Sequence, residues 1–257
     1  MKWLVSLVLV AWPVWGGEIA PDALDGLPPS DVYVLGEVHD NAVHHRNQAR
    51  AVTALRPGAV VWEMLGADQG ALVVPGAGMA DLDAALGWAA SGWPDFSLYY
   101  PIFAASGSAL HLGADVPRDA VRRAMDGAVE ISGYGLEVPL LPDAQAEAEA
   151  EQAVAHCGAL PAAMLPGMVA AQRLRDAALA QAVVRAMDMT GGPVVVITGS
   201  GHARRDRGVP AVLARVAPGL RVLSVGQVEG DPGADPPFDL WIVTPAEVRP
   251  DPCAAFK

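Results

Sequence analysis

The amino-acid sequence predicts an α/β fold: a mostly parallel central sheet with helices on both faces, plus an inserted helical region. Short runs of apolar, often β-branched residues recur along the chain, separated by segments rich in helix-forming residues. Because these runs are apolar at successive positions, they indicate strands covered on both faces, as parallel strands are. The chain has 257 residues, of which 52% are hydrophobic, and is therefore long enough to form a sizeable core.

Six apolar runs are predicted to be strands. The first precedes Gly36, where the chain turns into a helix that Asp40 or Asn41 can cap, and the most continuous β-branched run ends just before Gly199. The runs cover residues 32–35, 59–64, 109–114, 194–198, 221–225 and 238–243.

Helices are predicted between these runs. The first extends to about Leu55 and stops at an Arg-Pro-Gly sequence, and the longest covers about 162–187. Shorter helices are predicted at 81–90 and 117–124. The glycine- and proline-containing segment 127–142 is predicted to be a long surface loop. We expect residues 17–257 to form one domain, with about 143–190 as its helical subregion.

Residues 1–16 are predicted to be a cleaved secretory signal peptide. Lys2 precedes an apolar run that is too short to span a bilayer as a helix, and Val14 and Gly16 suit a signal-peptidase site. An uncleaved anchor is the alternative, and no cysteine near this region supports a lipid-anchored terminus. The sequence therefore predicts an exported, periplasmic protein that is not a lipoprotein.

The two cysteines, Cys157 and Cys253, would lie in an oxidising compartment after export. A disulfide between them is the simplest interpretation, and two inert thiols are the alternative. The formal net charge of −12 argues against nucleic acid as a partner, because binding to the phosphate backbone needs clustered positive charge.

Glu37 and His39 follow the first predicted strand and stand two positions apart. In extended backbone both side chains point to the same side, so they can share a proton, a metal ion or a ligand. His44 and His45 come in the first turns of the next helix. The alternative is a solvated turn pair followed by two surface histidines.

Polar side chains also follow three other predicted strands. These residues are Glu63, Asp115, Arg118 and His202. Because ligands bind at the carboxyl ends of parallel strands, we expect these groups to converge with the first pair. Gly199 and Gly201 allow a ligand to approach the backbone closely, although the segment lacks the fingerprint of a phosphate-binding loop.

Two carboxylates and two imidazoles at this edge form a suitable ligand set for a divalent metal ion such as Zn²⁺, Mn²⁺ or iron. The predicted metal ligands are Glu37, His39, Glu63 and His202. One carboxylate could then act as a base toward a metal-bound water. Without a metal, the same groups can act as acid and base.

Other polar and aromatic residues have two interpretations. Gln172 and Asp176, spaced i,i+4 on the longest helix, pair with each other on the surface or face the site. Tyr99 and Tyr100 belong to an aromatic segment that packs at a helix start or lines an apolar pocket. His111, inside the third apolar run, is interpreted as a core histidine.

An ordered set of short motifs spans nearly the whole chain after the signal peptide. They are Gly36-Glu37-Val38-His39-Asp40 with His44, His45 and Gln48, then Trp62-Glu63-Met64, Val116-Pro117-Arg118, Gln172 with Asp176, and Gly199-Ser200-Gly201-His202 with Gly208-Val209-Pro210. This set resembles the ChaN family of the wider Tiki/TraB/erythromycin-esterase superfamily.

The resemblance implies an exported haem- or iron-binding protein of an uptake system. It implies haem as the ligand, other envelope uptake components as partners, and a homodimer that holds a cofacial haem pair as one arrangement. Haem iron needs an axial Tyr or His ligand, and arginines suit the propionates. The candidates for the axial ligand are Tyr99, Tyr100, Tyr134, His44 and His45, and those for the propionates are Arg118, Arg204 and Arg205.

The same resemblance also implies an alternative of another class. Superfamily relatives include metal-dependent proteases and hydrolytic resistance enzymes that use the residues matching Glu37, His39, Glu63 and His202. In a protease or esterase, one of the two glutamates would act as the general base, and Arg118 would stabilise developing negative charge.

Overall fold

The structure is a computed structural model that describes residues 16–251 together with 253 and 254. The predicted signal peptide falls on residues 1–16, and all but the last of these lie outside the described residues. Within the described part of the chain, no helix is both long enough and apolar enough to cross a membrane.

A seven-stranded sheet forms the centre of the fold. Its strands are β1 Gly17–Glu18, β2 Val32–Glu37, β3 Ala59–Trp62, β4 Leu110–Gly113, β5 Val194–Gly199, β6 Val222–Glu229 and β7 Leu240–Thr244. The spatial order is β1-β7-β6-β2-β5-β3-β4, and every pairing is parallel. The predicted α/β fold with a mostly parallel sheet is confirmed.

Helices connect the strands and cover the sheet. They are α1 Ala42–Leu55, α2 Met79–Leu86, α3 Phe96–Ala105, α4 Arg118–Met125, α5 Pro142–Ala155, α6 Leu165–Thr190, α7 Ser200–Ala203 and α8 Val209–Val216. The Asn41 side chain accepts hydrogen bonds from the Val43 and His44 amides and so caps α1, as the sequence suggests. Residues 126–141 form neither helix nor strand, in agreement with the predicted loop.

The two faces of the sheet carry separate apolar clusters. Tyr33 and Leu35 of β2 point to the face covered by α1 and α3, where Ile102 also packs. Val32 and Val34 point to the opposite face, covered by α6 and α8. Every residue of β2 is buried because both faces are covered, which explains why the strand is apolar at successive positions.

The helical region predicted at 143–190 contains α5 and α6. Helix α6 packs against β3, β4 and β5 and so forms part of the layer that covers the sheet, while α5 packs against α6. The predicted disulfide between Cys157 and Cys253 is present, and it ties the end of α5 to the C-terminal tail across a separation of 96 residues.

The order of the strands places a crevice at the carboxyl ends of β2 and β5. These two strands are neighbours, and their register puts Glu37 opposite Gly199. The chain leaves β2 toward β3 on one side and leaves β5 toward β6 on the other. The two connections cross on opposite faces of the sheet, and in open α/β sheets ligands bind at the carboxyl ends of the strands.

Candidate functional site

Glu37, the last residue of β2, is a buried carboxylate surrounded by three polar groups. The Tyr99 hydroxyl donates to its Oε1 at 3.0 Å, and His39 Nδ1 lies 2.8 Å from the same oxygen. The other oxygen, Oε2, lies 3.4 Å from His45 Nδ1. The His45 ring is fixed from its far side, where Nε2 donates to the His39 carbonyl at 2.9 Å. Glu37 therefore orients His39, and Tyr99 holds Glu37, while Glu37 Oε2 and His45 Nδ1 have no hydrogen-bond partner among the described residues.

His39 presents its second ring nitrogen to the crevice. Its side chain is 34% exposed, and its ring packs edge-on against Trp93 with 4.9 Å between centroids. Since Nδ1 faces the carboxylate of Glu37, it carries the proton of the neutral ring, and Nε2 then has the lone pair. Burial lowers the pKa of His39, but the hydrogen bond with Glu37 and the charges of Glu63 and Glu37 outweigh it, and the pKa is raised.

Gly199 allows the His39 ring to pack closely against β5. A Cβ at position 199 would lie 2.9 Å from His39 Nε2 and 3.7 Å from Glu63 Oε2, so a side chain there would collide with the imidazole. The backbone of Gly199 is extended, so its conformation does not require glycine. The close approach of the imidazole therefore explains the absence of a side chain at this position.

Glu63 follows β3 and is held by groups of β5. Its Oε2 accepts hydrogen bonds from the Thr198 hydroxyl at 2.7 Å and from the Gly199 amide at 2.8 Å. Although burial opposes ionisation, the charge of His202 and its hydrogen bond, together with His39 and the Gly199 amide, hold the pKa of Glu63 well below its usual range. Glu63 is therefore a carboxylate throughout the physiological pH range.

His202 of α7 lies buried between two carboxylates. Its Nδ1 is 2.7 Å from Asp176 Oδ1, and its Nε2 is 3.4 Å from Glu63 Oε1. Burial lowers the pKa of His202, but the two carboxylates raise it to about 10. Burial raises the pKa of Asp176 to about 6 despite the neighbouring imidazolium. The Gln172 amide nitrogen lies 3.1 Å from His202 Nδ1, so Gln172 and Asp176 both face the site rather than open solvent.

Two adjoining cavities surround these groups. The first, which we call the central cleft, has a volume of about 540 Å³ and includes Gly199, Gly201, Ser200 and Val38 in its lining as well as Glu37, His39, Glu63, Trp93, Gln172, Arg175 and His202. The second, which we call the arginine cavity, has a volume of about 440 Å³ and includes Asp115, Arg118, Arg122 and Arg175. Trp93 and Arg175 line both cavities. The polar groups predicted to follow four strands therefore converge, in two neighbouring cavities.

Several predicted ligand-binding residues lie away from the cleft. His44 is buried and bonded at both nitrogens: Nδ1 accepts from the Val38 amide at 2.8 Å, and Nε2 lies 2.7 Å from the Thr244 hydroxyl. Burial lowers the pKa of His44 to about 4. The Gln48 amide donates to the Leu35 carbonyl at 3.0 Å. These side chains fix α1 against the sheet.

The three tyrosines named as candidate axial ligands lie in different surroundings. Tyr99 is fully buried behind Glu37, and Tyr100 donates its hydroxyl to the Ala77 carbonyl at 3.1 Å. Tyr134, in the loop before α5, packs against the apolar cluster under α6 and lines a separate small cavity beside Arg173.

Two of the arginines named for propionates are engaged in ion pairs. Arg204 Nη2 lies 2.7 Å from Asp206 Oδ2, and the same guanidinium contacts Glu147 and Glu151 of α5. Arg205 lies 3.2 Å from Asp235. Arg118 has no carboxylate at ion-pair distance within the described part of the chain, and it lines the arginine cavity.

The predicted divalent-metal site is not supported. Among residues 16–251, 253 and 254, no group of three or more His, Cys, Asp or Glu side chains is arranged to hold a metal ion. The physical reason lies in the partners described above. Glu37 is directed to His39 and Tyr99, and Glu63 to β5 and His202, so the carboxylates do not point to a common centre.

Sequence reasoning missed several residues that line the cavities, among them Trp93, Arg122 and Arg175. Helical spacing could have identified the two arginines. Arg122 is four residues after Arg118, and Arg175 is three residues after Gln172, so each shares a helix face with a residue already selected. Trp93 lies in a Gly-Trp-Pro break, and no pattern in the sequence links it to His39.

The fold and the site belong to a known family. A family model described as "Haem-binding uptake, Tiki superfamily, ChaN" matches residues 23–213, and the chain therefore belongs to this family. The match includes the β2 corner, Glu63, α4, α6 and His202. No curated protein matches the sequence.

Solved structures resemble the chain in fold. The ChaN protein of Campylobacter jejuni, whose structure is described as showing cofacial haem binding, is 20% identical and superposes with a TM-score of 0.65 over 85% of this chain and 88% of that chain. The type III effector HopBA1 is 13% identical, with a TM-score of 0.48 over 84% of this chain and 88% of that chain.

Proposed function

We propose that this protein binds haem in the central cleft and acts in haem or iron uptake. The observation that carries the proposal is membership of the haem-binding uptake family over residues 23–213. The residues of the cleft fit such a ligand, because they combine an imidazole nitrogen, an aromatic wall and neighbouring guanidinium groups.

His39 is the axial ligand that the geometry favours. Its Nδ1 is oriented by the carboxylate of Glu37 at 2.8 Å, and its partly exposed ring lines the central cleft. A ligating histidine usually donates its other N–H to a carboxylate or carbonyl, which fixes the tautomer and increases ligand basicity. When bound, haem supplies an iron centre that accepts axial ligands. Trp93 provides an apolar wall beside the imidazole.

Tyr134 is the second candidate axial ligand. The hydroxyls of Tyr99 and Tyr100 are donated to Glu37 and to the Ala77 carbonyl, whereas that of Tyr134 forms no hydrogen bond with any other described residue. Its cavity lies beside Arg173 and Asp176, on the other side of α6 residues that face the cleft. A haem bound there would leave His39 unligated.

Titration of the purified protein with haemin, followed by the Soret absorption, tests the proposal. We expect saturable binding that His39→Ala weakens by more than about tenfold, with a changed spectrum because the axial ligand is lost. His156→Ala, which removes a histidine at the end of α5, is the matched control and leaves binding unchanged. Tyr134→Phe should also leave binding unchanged.

Two outcomes would contradict this assignment. If Tyr134→Phe abolishes the spectrum and His39→Ala does not, haem binds in the smaller cavity. If the wild-type protein shows no saturable Soret shift, the chain does not bind haem, and the family membership describes its ancestry alone.

We further propose that the protein acts after export, in the periplasm, and forms a homodimer when haem is bound. The disulfide between Cys157 and Cys253 supports export, since such bonds persist in oxidising compartments. Fractionation of cells that express the full chain, with determination of the mature N-terminus, tests the location. Light scattering with and without haemin tests the dimer, which we expect to form only with haemin.

Hydrolysis of an ester or peptide is the second candidate function. The observation that favours it is that the partly exposed imidazole of His39 and the buried imidazolium of His202 line one cleft. His39 Nε2 could take a proton from water while Glu37 stabilises the resulting charge, and the His202 cation could polarise a carbonyl. A screen of ester and peptide substrates tests it: turnover lost in His39→Ala and in His202→Gln supports hydrolysis, and absence of turnover in the wild type refutes it.

A further inference from the structure

The arginine cavity brings three guanidinium groups together. Arg118 and Arg122 stand i,i+4 on α4 and therefore share one helix face, and Arg175 reaches the same cavity from α6. The cavity adjoins the central cleft at Trp93 and Arg175. A ligand in the cleft can therefore extend a polar edge toward these arginines.

Unlike several other arginines of the chain, Arg118, Arg122 and Arg175 have no ion-pair partner among the described residues. Arg50, Arg123 and Arg249, for example, each contact a carboxylate directly. In the part of the chain that the structure describes, no carboxylate lies at ion-pair distance from Arg118, Arg122 or Arg175. The set of three cations is thus held without direct neutralisation, although the whole chain has a formal net charge of −12.

The surroundings of the three arginines make their positive charges unfavourable for the stability of the fold. Arg118 occupies the first position of α4, where the positive end of the helix dipole disfavours a cation. Like charges spaced i,i+4 also repel each other. Asp115 lies in the same cavity and interacts electrostatically with Arg175 and Arg118, which leaves three positive charges against one negative charge.

We propose that the arginine cavity binds a pair of carboxylates on the ligand of the central cleft. Two negative charges match the local excess of positive charge, and a guanidinium can hold a carboxylate with two parallel hydrogen bonds. The proposal rests on haem binding as the proposed function and assigns the two propionates of haem to Arg118, Arg122 and Arg175. It replaces Arg204 and Arg205, whose guanidinium groups are paired with carboxylates.

A comparison of haemin with its dimethyl ester tests the assignment, because esterification removes both carboxylate charges and keeps the macrocycle and iron. The variants are Arg118→Gln with Arg122→Gln, and Arg175→Gln. The matched control is Arg185→Gln, an exposed arginine further along α6. We expect the wild type to bind haemin at least about tenfold more tightly than the ester. The site variants should lose this preference, whereas the control should retain it.

The outcomes distinguish this site from haem binding itself. Equal affinity of the wild-type protein for haemin and the ester, or equal weakening of both ligands in the site variants, overturns the carboxylate site and leaves haem binding intact. Metal-free protoporphyrin IX is a third probe. If it binds as tightly as haemin and with the same dependence on the arginines, the carboxylate site stands and iron ligation fails. If the wild type binds none of the three probes, both proposals fall.

Discussion

Replacing Asp176 by asparagine is expected to lower the pKa of His202 by about 1 to 3 units, because a carboxylate in contact with an imidazole favours the protonated ring by that amount. In the wild-type protein, Asp176 Oδ1 lies 2.7 Å from His202 Nδ1, and Glu63 holds the second nitrogen at 3.4 Å. The two carboxylates raise the pKa of His202 to about 10 against the effect of burial. His202 is therefore an imidazolium at neutral pH.

The corresponding free energy follows from the difference between the pKa of His202 in the folded protein, about 10, and the ordinary histidine pKa of 6.5. At about 1.4 kcal/mol per pKa unit, the folded state favours the protonated ring by up to about 5 kcal/mol. Because the folded pKa is raised, this stabilisation is fully present below pH 6.5 and is lost as the pH rises through about 10. Burial raises the pKa of Asp176 to about 6, so its ionisation opposes folding by about 3 kcal/mol above that pH.

NMR titration of the imidazole resonances measures these values directly. The His202 signal is assigned from its loss in His202→Gln. Urea unfolding between pH 6.5 and 10 should show a falling free energy of unfolding in the wild type and a smaller fall in Asp176→Asn. A wild-type His202 that titrates near 6.5, or one whose pKa is the same in Asp176→Asn, would show that the carboxylates do not hold a proton on this ring.

Three further outcomes are expected. The double variant Cys157→Ser, Cys253→Ser should lose up to about 4.7 kcal/mol of stability in urea unfolding, since the disulfide closes a long loop, and reductant should not destabilise it further. Burial lowers the pKa of His111 to about 4, so the free energy of unfolding should fall by about 3 kcal/mol between pH 6.5 and 4, and His111→Asn should reduce that fall. Gly199→Ala should weaken haemin binding at least about tenfold, because the methyl group would lie 2.9 Å from His39 Nε2 and displace the imidazole, whereas Gly219→Ala, which has open space around it, should bind normally.

The strands and the corner at the end of β2 follow from local features of the sequence. Successive apolar positions mark β2 and β5, which are buried on both faces. The spacing of Glu37 and His39 placed both side chains on one side of an extended backbone, and the structure joins them at 2.8 Å. Such features depend on residues that are close together in the chain, and they can therefore be predicted from the sequence.

The roles of the polar residues on α1 depend on partners that are distant in the sequence. His44 looks like a surface residue in a polar helix, yet it is buried against Thr244, which lies near the C-terminal end of the sheet. Gln48 is buried in the same way against the Leu35 carbonyl. Helical periodicity cannot identify such residues, because it separates apolar from polar faces and these polar side chains face the core.

The sequence also does not show which arginines are paired with carboxylates in the folded protein. Arg204 and Arg118 both follow strand ends, but α5 supplies Glu147 and Glu151 to Arg204 and not to Arg118. Tertiary contacts between residues more than fifty positions apart in the sequence decide which guanidinium remains available to a ligand. Of the three predicted anion contacts, Arg204 and Arg205 are paired with carboxylates, and Arg118 lines the arginine cavity without such a pair among the described residues.

The two imidazoles of the cleft differ in the number of carboxylates around them, and this difference assigns their roles. His202 is buried with both nitrogens facing carboxylates, so it carries a fixed positive charge and offers no lone pair. The His39 side chain faces one carboxylate, is partly exposed, and lines the central cleft, where Nε2 can meet an occupant. A ligand that accepts an electron pair, such as haem iron, and a water molecule that loses a proton would both use that nitrogen. Whether the cleft binds a ligand or supports hydrolysis therefore depends on the molecule that occupies it. The neighbouring arginines favour a molecule with carboxylates along one edge.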